Sequence, residues 1–237
     1  MNTTTANNYG TVASVYELLS NVYSGGQILA CKRSQLEELR QGDRVLYAGA
    51  GGGEDATLAA AMGAQVTVVE LSPAMVAEAR RRFDEAGVGA KVEIICGSIL
   101  DHVRLNHYDA VVANFFLNVF PASTMRVILE HLVEQAKPGG KVLISDFAPP
   151  EGGALARGAQ KLYWGAAVMS FHLLANNPLH AIYDYRVHLD EIGLSLDETR
   201  DFNAFGIRAL RFRTITATRP ANAVPHREHR SPSSPAN

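Results

Sequence analysis

The stretch Val45-Leu46-Tyr47-Ala48-Gly49-Ala50-Gly51-Gly52-Gly53-Glu54-Asp55-Ala56 constrains this chain more than any other. A short apolar run leads into four glycines within five positions, and two acids then open a helical pattern. Glycine lets the backbone turn sharply and lets a ligand approach the main chain with no Cβ in the way. A loop of this kind between a strand and a helix N-terminus is a site for nucleotide-like ligands.

The neighbouring residues restrict the ligand. A dinucleotide fingerprint counted from Gly49 and Gly51 needs a third glycine where Glu54 stands. A carboxylate there repels a pyrophosphate. The Gly-Lys-Ser/Thr of a phosphate-binding P-loop is absent. The loop therefore suits an uncharged or cationic nucleoside. Glu70, the single acid that closes the next apolar run Val66–Glu70, is placed to accept from both hydroxyls of a ribose.

The pattern of apolar runs sets the expected architecture. Strands are expected at Val45-Leu46, Val66–Glu70, Lys91–Ile95, Asp109–Asn114 and Lys141–Phe147. Helices are expected between them: Glu54–Met62, a serine-capped and proline-led helix from Ser72-Pro73 to Gly87, and Pro121–Lys137 before the turn Lys137-Pro138-Gly139-Gly140. Strands that alternate with helices and are apolar throughout indicate a parallel sheet covered on both faces. Residues 194–218 read as two antiparallel strands joined near Phe205-Gly206.

Residues 1–40 form an expected helical cover, broken at Ser24-Gly25-Gly26 and carrying Tyr9, Tyr16 and Tyr23 at seven-residue spacing. Residues 150–190 break the alternation and read as a cap insertion, with a helical stripe of Leu155, Leu162, Ala166, Met169 and Leu173 that ends at Asn176-Asn177-Pro178. The proline-rich tail 220–237 is expected to be disordered, leaving a single domain over 1–219.

Composition excludes several classes. A net charge of −2 with no basic block points away from nucleic acid and anionic membranes. No apolar run reaches the ~18 residues of a membrane span. Two cysteines without metal spacing, and a polar stretch Met1–Asn8 without a signal-peptide pattern, lead to the expectation of a cytoplasmic, metal-free protein, as monomer or homodimer.

Val45–Gly53, Glu70–Met75, Gly97-Ser98-Ile99-Leu100-Asp101, Tyr108–Phe116 and Lys137–Gly140, in this order and spacing, resemble the successive motifs of class I S-adenosylmethionine-dependent methyltransferases. The resemblance is strong over residues 40–150. Val12–Glu17 and Ser24-Gly25-Gly26 resemble the small-molecule branch that contains the ubiquinone and menaquinone biosynthesis methyltransferases. A looser likeness is to the toxoflavin biosynthesis N-methyltransferase, which acts on an azapteridine ring.

The resemblance implies a Rossmann-like α/β fold with a mostly parallel seven-stranded sheet and one antiparallel strand. It implies S-adenosylmethionine as cofactor, with Gly49, Ala50 and Gly51 near its methionine part and ribose. Glu70 falls on the ribose diol, Leu71 and Met75 on the adenine face, Ser98 and Ile99 on the adenine edge, and Asn114 and Phe115 along the methionine moiety. Tyr16 and Tyr23 are expected to cover the methionine end.

Two positions depart from the family pattern. Tyr47 stands where most members carry the acid that orients the cofactor's amino group, leaving Asp55, Asn114 or an N-terminal residue to substitute. Asn118 stands where many relatives have histidine. Asn118 is the expected hydrogen-bonding partner of a planar acceptor, and Tyr163 and Trp164 are expected to stack on it. His172, His180 and His188 lie in the cap region without forming a general-base arrangement. Two other readings compete: an NAD-linked oxidoreductase, which Glu54 opposes, and a non-catalytic binding protein of the same fold, which Tyr47 motivates.

Overall fold

The computed structural model describes residues 22–175, 182–208 and 210–221, with the side chains of 166–175 left aside. Tyr9, Tyr16, His180 and the tail from residue 222 lie outside the described residues, as does the side chain of His172.

The helices are α1 (Gln27–Ser34), α2 (Glu54–Ala61), α3 (Pro73–Glu85), α4 (Ala122–Gln135), α5 (Ala154–Ala175) and α6 (Tyr185–Ile192). The strands are β1 (Arg44–Ala48), β2 (Gln65–Glu70), β3 (Val92–Cys96), β4 (Tyr108–Asn114), β5 (Ala136–Phe147), β6 (Ser195–Asn203) and β7 (Arg211–Thr218). They form one seven-stranded sheet in the order β3-β2-β1-β4-β5-β7-β6. β1 to β5 pair in parallel, and β7 runs antiparallel to both of its neighbours. This is the expected fold class: a Rossmann-like α/β sheet with one reversed strand.

The parallel strands are apolar throughout because each of their faces is covered. Leu46, Ala48, Val111, Ala113, Val142 and Ile144 pack with Met125, Ile128, Leu129 and Leu132 of α4 and Leu189 of α6. Val45, Tyr47, Val66, Val68 and Val112 pack on the other side, with Ala56, Ala59 and Ala60 of α2 and Phe83 of α3. Ser72 caps α3 as expected, its hydroxyl accepting from the Met75 N–H at 3.4 Å.

Three sequence expectations are corrected. Lys137–Gly140 is not a free turn but a bulge inside β5: Tyr108 pairs with Ala136 and Ala110 with Lys141, so four residues stand opposite Asp109 alone, and Gly139 and Gly140 bond to Arg219 on the other side. On α5 the two described leucines of the expected stripe face solvent, Leu155 92% and Leu162 78% exposed, and Gln160 and Trp164 are buried instead. The helix is tethered through Gln160, whose Oε1 accepts from the Glu151 N–H at 2.9 Å. The range expected as cap also contains a core helix, α6, which buries Tyr185 and Leu189 against the α4 layer.

Candidate active site

The strand order reverses between β1 and β4, which makes the carboxyl ends of these strands the switch point where ligands of open α/β sheets bind. Five strand ends deliver residues to that edge: Gly49–Gly53 after β1, Glu70 from β2, Ser98-Ile99 after β3, Asn114–Asn118 at the end of β4 and Asp146 near the end of β5.

The glycine loop is shaped by close approach. Gly49 has φ +64°, and a Cβ there would lie 2.1 Å from the Phe116 ring, so that ring lies directly on the loop backbone. At Gly51, φ +56°, a Cβ would meet nothing within 4 Å, leaving this backbone open to a ligand. Glu70 braces the loop: Oε2 accepts from the Gly51 N–H at 3.0 Å and Oε1 from the Ser72 N–H at 2.9 Å. A carboxylate offers about four acceptor sites, so two remain for a ribose diol.

Asp55 opens α2 yet is 2% exposed. Its Oδ2 accepts from Asn114 Nδ2 at 2.7 Å, and Lys32 Nζ of α1 stands 3.7 Å from its Oδ1, beyond hydrogen-bond length. Asp55 Oδ1 and Asn114 Oδ1 are buried without a hydrogen-bond partner. Two such acceptors side by side call for a donor, and a cationic group with several N–H bonds fits best. Tyr47 cannot serve: it is buried in the α2 layer with its phenol pKa pushed up by burial and then by the Asp55 charge, and its hydroxyl points to the Asp55 carbonyl at 3.5 Å.

Beyond β4, Phe115 adopts φ 52°, a strained conformation for an aromatic residue. Its N–H donates to the Ser145 carbonyl at 2.8 Å, and its ring packs edge-on to Phe147 and Phe212. Phe116 and Phe120 meet edge to face at 5.2 Å, flanking Asn118 in the chain. Asn118 Nδ2 donates to Asp146 Oδ1 at 2.8 Å, while Asn118 Oδ1 is buried and unpartnered.

The remaining sequence-stated residues divide clearly. Ile99 is buried and Ser98 caps the turn Ile99–Asp101, accepting from the Leu100 N–H at 3.2 Å. Leu71 is exposed beside Glu70, and Met75 sits half-buried in the first turn of α3. Trp164 is only 4% exposed, packed on Phe147 at 4.4 Å and Phe212 at 5.5 Å. It offers no open face for stacking. Tyr163 stacks on Tyr23 at 4.3 Å, and each hydroxyl donates to the other residue's carbonyl, at 2.7 and 2.8 Å. The pair clasps the N-terminal segment to α5 and leaves neither hydroxyl free. His188 of α6 lies 3.7 Å from Glu191.

Asp146 and Tyr185 carry no role in the sequence reading. The signal for Asp146 was nonetheless present: a lone acid near the end of an apolar strand, as at Glu70. A cleft of ≈ 510 Å³ lined by Arg44, Glu93, Arg104 and His107 lies at the amino ends of β1–β4, the edge opposite this site. Among the described residues no cluster of His, Cys, Asp and Glu is arranged to hold a metal, and no helix is long and apolar enough to cross a membrane.

The chain is an S-adenosylmethionine-dependent methyltransferase with the Rossmann-like fold of class I. A family described as "Methyltransferase domain" matches residues 45–140. The chain is 27% identical over 195 residues to the ubiquinone/menaquinone biosynthesis C-methyltransferase of Pseudomonas putida, an alignment that covers 77% of this chain and 74% of that one. It is 32% identical over 146 residues to the demethylmenaquinone methyltransferase of Beutenbergia cavernae, covering 59% and 56%. Its fold is shared with the magnesium protoporphyrin IX methyltransferase of Synechocystis at a TM-score of 0.62, with 22% identity and 84% of each chain covered. The cofactor is S-adenosylmethionine, and the oxidoreductase and non-catalytic readings fall away.

Proposed function

We propose that this enzyme methylates a small planar acceptor that carries a phenolic or enolic O–H or a ring N–H, of quinol or azapteridine type. The observation that carries this reading is the aromatic pair Phe116–Phe120, one ring of which lies on Gly49, with the orphan carbonyl of Asn118 between them in the chain. An aromatic surround with one neutral acceptor suits a flat molecule with one polarised hydrogen. The relatives named for quinone biosynthesis support the quinol type.

The residues present fit the cofactor. Asp55 and Asn114 offer their unpartnered oxygens to its ammonium group, taking over from the family's strand acid. Gly49, Ala50 and Gly51 supply the close approach, and Glu70 the diol contacts. Leu71 and Met75 take the adenine face, Ser98 and Ile99 its edge, and Phe115 the methionine side. Bound there, the cofactor supplies a methyl group already activated by sulfonium. What remains for the protein is to hold the acceptor ~3–3.5 Å from that carbon, in line with the breaking bond. Asn118 orients the acceptor through its hydrogen. Tyr163 and Tyr23 contribute as a clasp, and Trp164 through the packing beneath it. We take the working unit to be a cytoplasmic monomer or homodimer.

The test has two stages. Calorimetry with S-adenosylhomocysteine at ~100 μM should give clear binding, and its absence would sink the cofactor assignments. Formation of S-adenosylhomocysteine from S-adenosylmethionine is then followed with 1,4-dihydroxynaphthalene, a toxoflavin-type azapteridine precursor and a short peptide. Turnover of the peptide alone would refute a small planar acceptor.

A further inference from the structure

Asp146 is 3% exposed and has no cation within ion-pair distance among the described residues. Its three partners are all neutral donors. Oδ1 accepts from Asn118 Nδ2 and from the Phe147 N–H, both at 2.8 Å, and Oδ2 accepts from the Tyr185 hydroxyl at 2.6 Å. The nearest cation by strand register, Arg213 opposite it on β7, is engaged by Asp201 and Glu151 instead. A buried carboxylate without a counter-ion is costly, and such groups concentrate at functional sites.

The geometry shows what the carboxylate does. Its Oδ1 accepts whether or not Oδ2 carries a proton, so it turns the amide nitrogen of Asn118 toward itself and leaves the Asn118 carbonyl Oδ1 pointing the other way. That Oδ1 is the network's unpartnered atom. Asn114 pairs with Ser145, one residue before Asp146, so the network adjoins the carboxylate–amide pair at the cofactor end. Tyr185 ties the arrangement to α6, and the Tyr183 hydroxyl ties that segment to the Phe120 carbonyl at 2.9 Å.

We propose that Asp146 is a positioning residue for the methyl acceptor: it fixes the Asn118 amide so that Oδ1 accepts a hydrogen bond from the O–H or N–H of a planar substrate, with Tyr185 holding the carboxylate in place. This rests on the small-molecule reading above and adds to it the group that selects the substrate. In the transfer itself the acceptor's electron pair forms the bond to the methyl carbon, the C–S pair stays on sulfur, and the acceptor's proton leaves to water. Asp146 moves no proton.

The test compares two probes under anaerobic conditions, each titrated by calorimetry into the enzyme saturated with S-adenosylhomocysteine. 1,4-Dihydroxynaphthalene carries the O–H donors, and 1,4-dimethoxynaphthalene has the same flat ring system without them. The wild type should prefer the diol by about tenfold, because the ether leaves the buried oxygen of Asn118 unpaired. Asn118→Ala and Asp146→Ala should each erase that preference, and the double variant should lose nothing further. Asp146→Asn should keep it, since the amide oxygen still accepts from Asn118 and the amide nitrogen donates to Tyr185.

S-Adenosylhomocysteine affinity within about threefold of wild type shows that each variant is folded. A preference intact in Asp146→Ala, or lost additively in the double variant, overturns the proposal. If neither naphthalene binds the wild type while S-adenosylhomocysteine does, the planar-acceptor reading falls and takes this inference with it. If S-adenosylhomocysteine itself does not bind, the cofactor assignments fail first.

Discussion

Two aspartates buried to nearly the same degree meet opposite surroundings at neighbouring ends of this site. Asp55 has a lysine beside it, an asparagine on one oxygen and nothing bonded to the other. Asp146 has no cation within ion-pair distance among the described residues, yet both its oxygens are occupied, and the unfilled position has passed outward to Asn118 Oδ1. A carboxylate oxygen left bare beside a cation is arranged to exchange one positive partner for another, as the ammonium of the cofactor requires. A carboxylate fully occupied by neutral donors is arranged to orient them, and what it presents to a substrate is a neutral carbonyl. On the function proposed above, the two ends separate recognition of charge from recognition of a polarised hydrogen.

The largest expected effect tests whether Asp146 bears the cost of an uncompensated charge. Burial pushes its pKa up from 3.8 to about 7, and the hydrogen bonds from Tyr185, Phe147 and Asn118 pull the other way without cancelling it. Tyr183, Tyr185 and Cys31 of α1 are raised by their own burial and then by the Asp146 charge. With the folded value above the unfolded one, the folded protein retains a proton that the unfolded chain has released. Its stability therefore falls as pH rises from about 4 to about 7, by at most about 4 kcal/mol. Asp146→Asn removes this slope, so at pH 8 the variant should be more stable than wild type by roughly 2–4 kcal/mol in urea titrations. A variant no more stable at pH 8 than at pH 5, relative to wild type, would show the carboxylate to be compensated after all.

At the other end, Asp55→Asn should weaken S-adenosylhomocysteine by about 2–3 kcal/mol, the worth of a hydrogen bond to a charged group. 5′-Methylthioadenosine lacks the amino-acid portion, so its affinity should be unchanged. Equal losses for the two ligands would mean that Asp55 shapes the loop rather than binding the ammonium. Glu70→Ala should cost about 1–3 kcal/mol for both ligands alike, since the ribose is common to them.

Most of the fold was legible because covered parallel strands leave a strong local record: Val66–Glu70 and Asp109–Asn114 are apolar on both faces, and Ser72-Pro73 announces its helix. The glycine loop and Glu70 were legible for the same reason, as chemistry adjacent in sequence to a strand end. Asp146 carries the same strand-end signal, but its role was not legible, because that role lies in partners 28 and 39 residues away that only the fold brings together. The face of α5 was misread because its leucines recur at helical spacing. Which stripe is buried depends on what the helix packs against, and here Trp164 outcompetes Leu155 and Leu162 for the cluster at Phe147 and Phe212. The bulge at Lys137–Gly140 escaped because Pro-Gly-Gly signals a turn whether or not strand pairing resumes on both sides of it.

The smallest effect sharpens the contrast between the aspartates by removing the cation that distinguishes them. Lys32 is partly exposed and 3.7 Å from Asp55 Oδ1, too far for a hydrogen bond, so its attraction is screened. Lys32→Met takes the cation from a buried carboxylate but breaks no hydrogen bond, so stability should fall by roughly 1–2 kcal/mol. Its effect on ligand binding is the informative quantity. If Lys32 only occupies the place of the incoming ammonium, its removal should tighten S-adenosylhomocysteine by a few-fold and leave 5′-methylthioadenosine unchanged, because the carboxylate no longer exchanges one cation for another. Weaker binding would instead mean that Lys32 stays to pair with the carboxylate of the ligand's amino-acid end. Asp55 and Lys32 would then be a matched pair for a zwitterion, and the difference from Asp146 would lie in having two charges to offer rather than one to surrender.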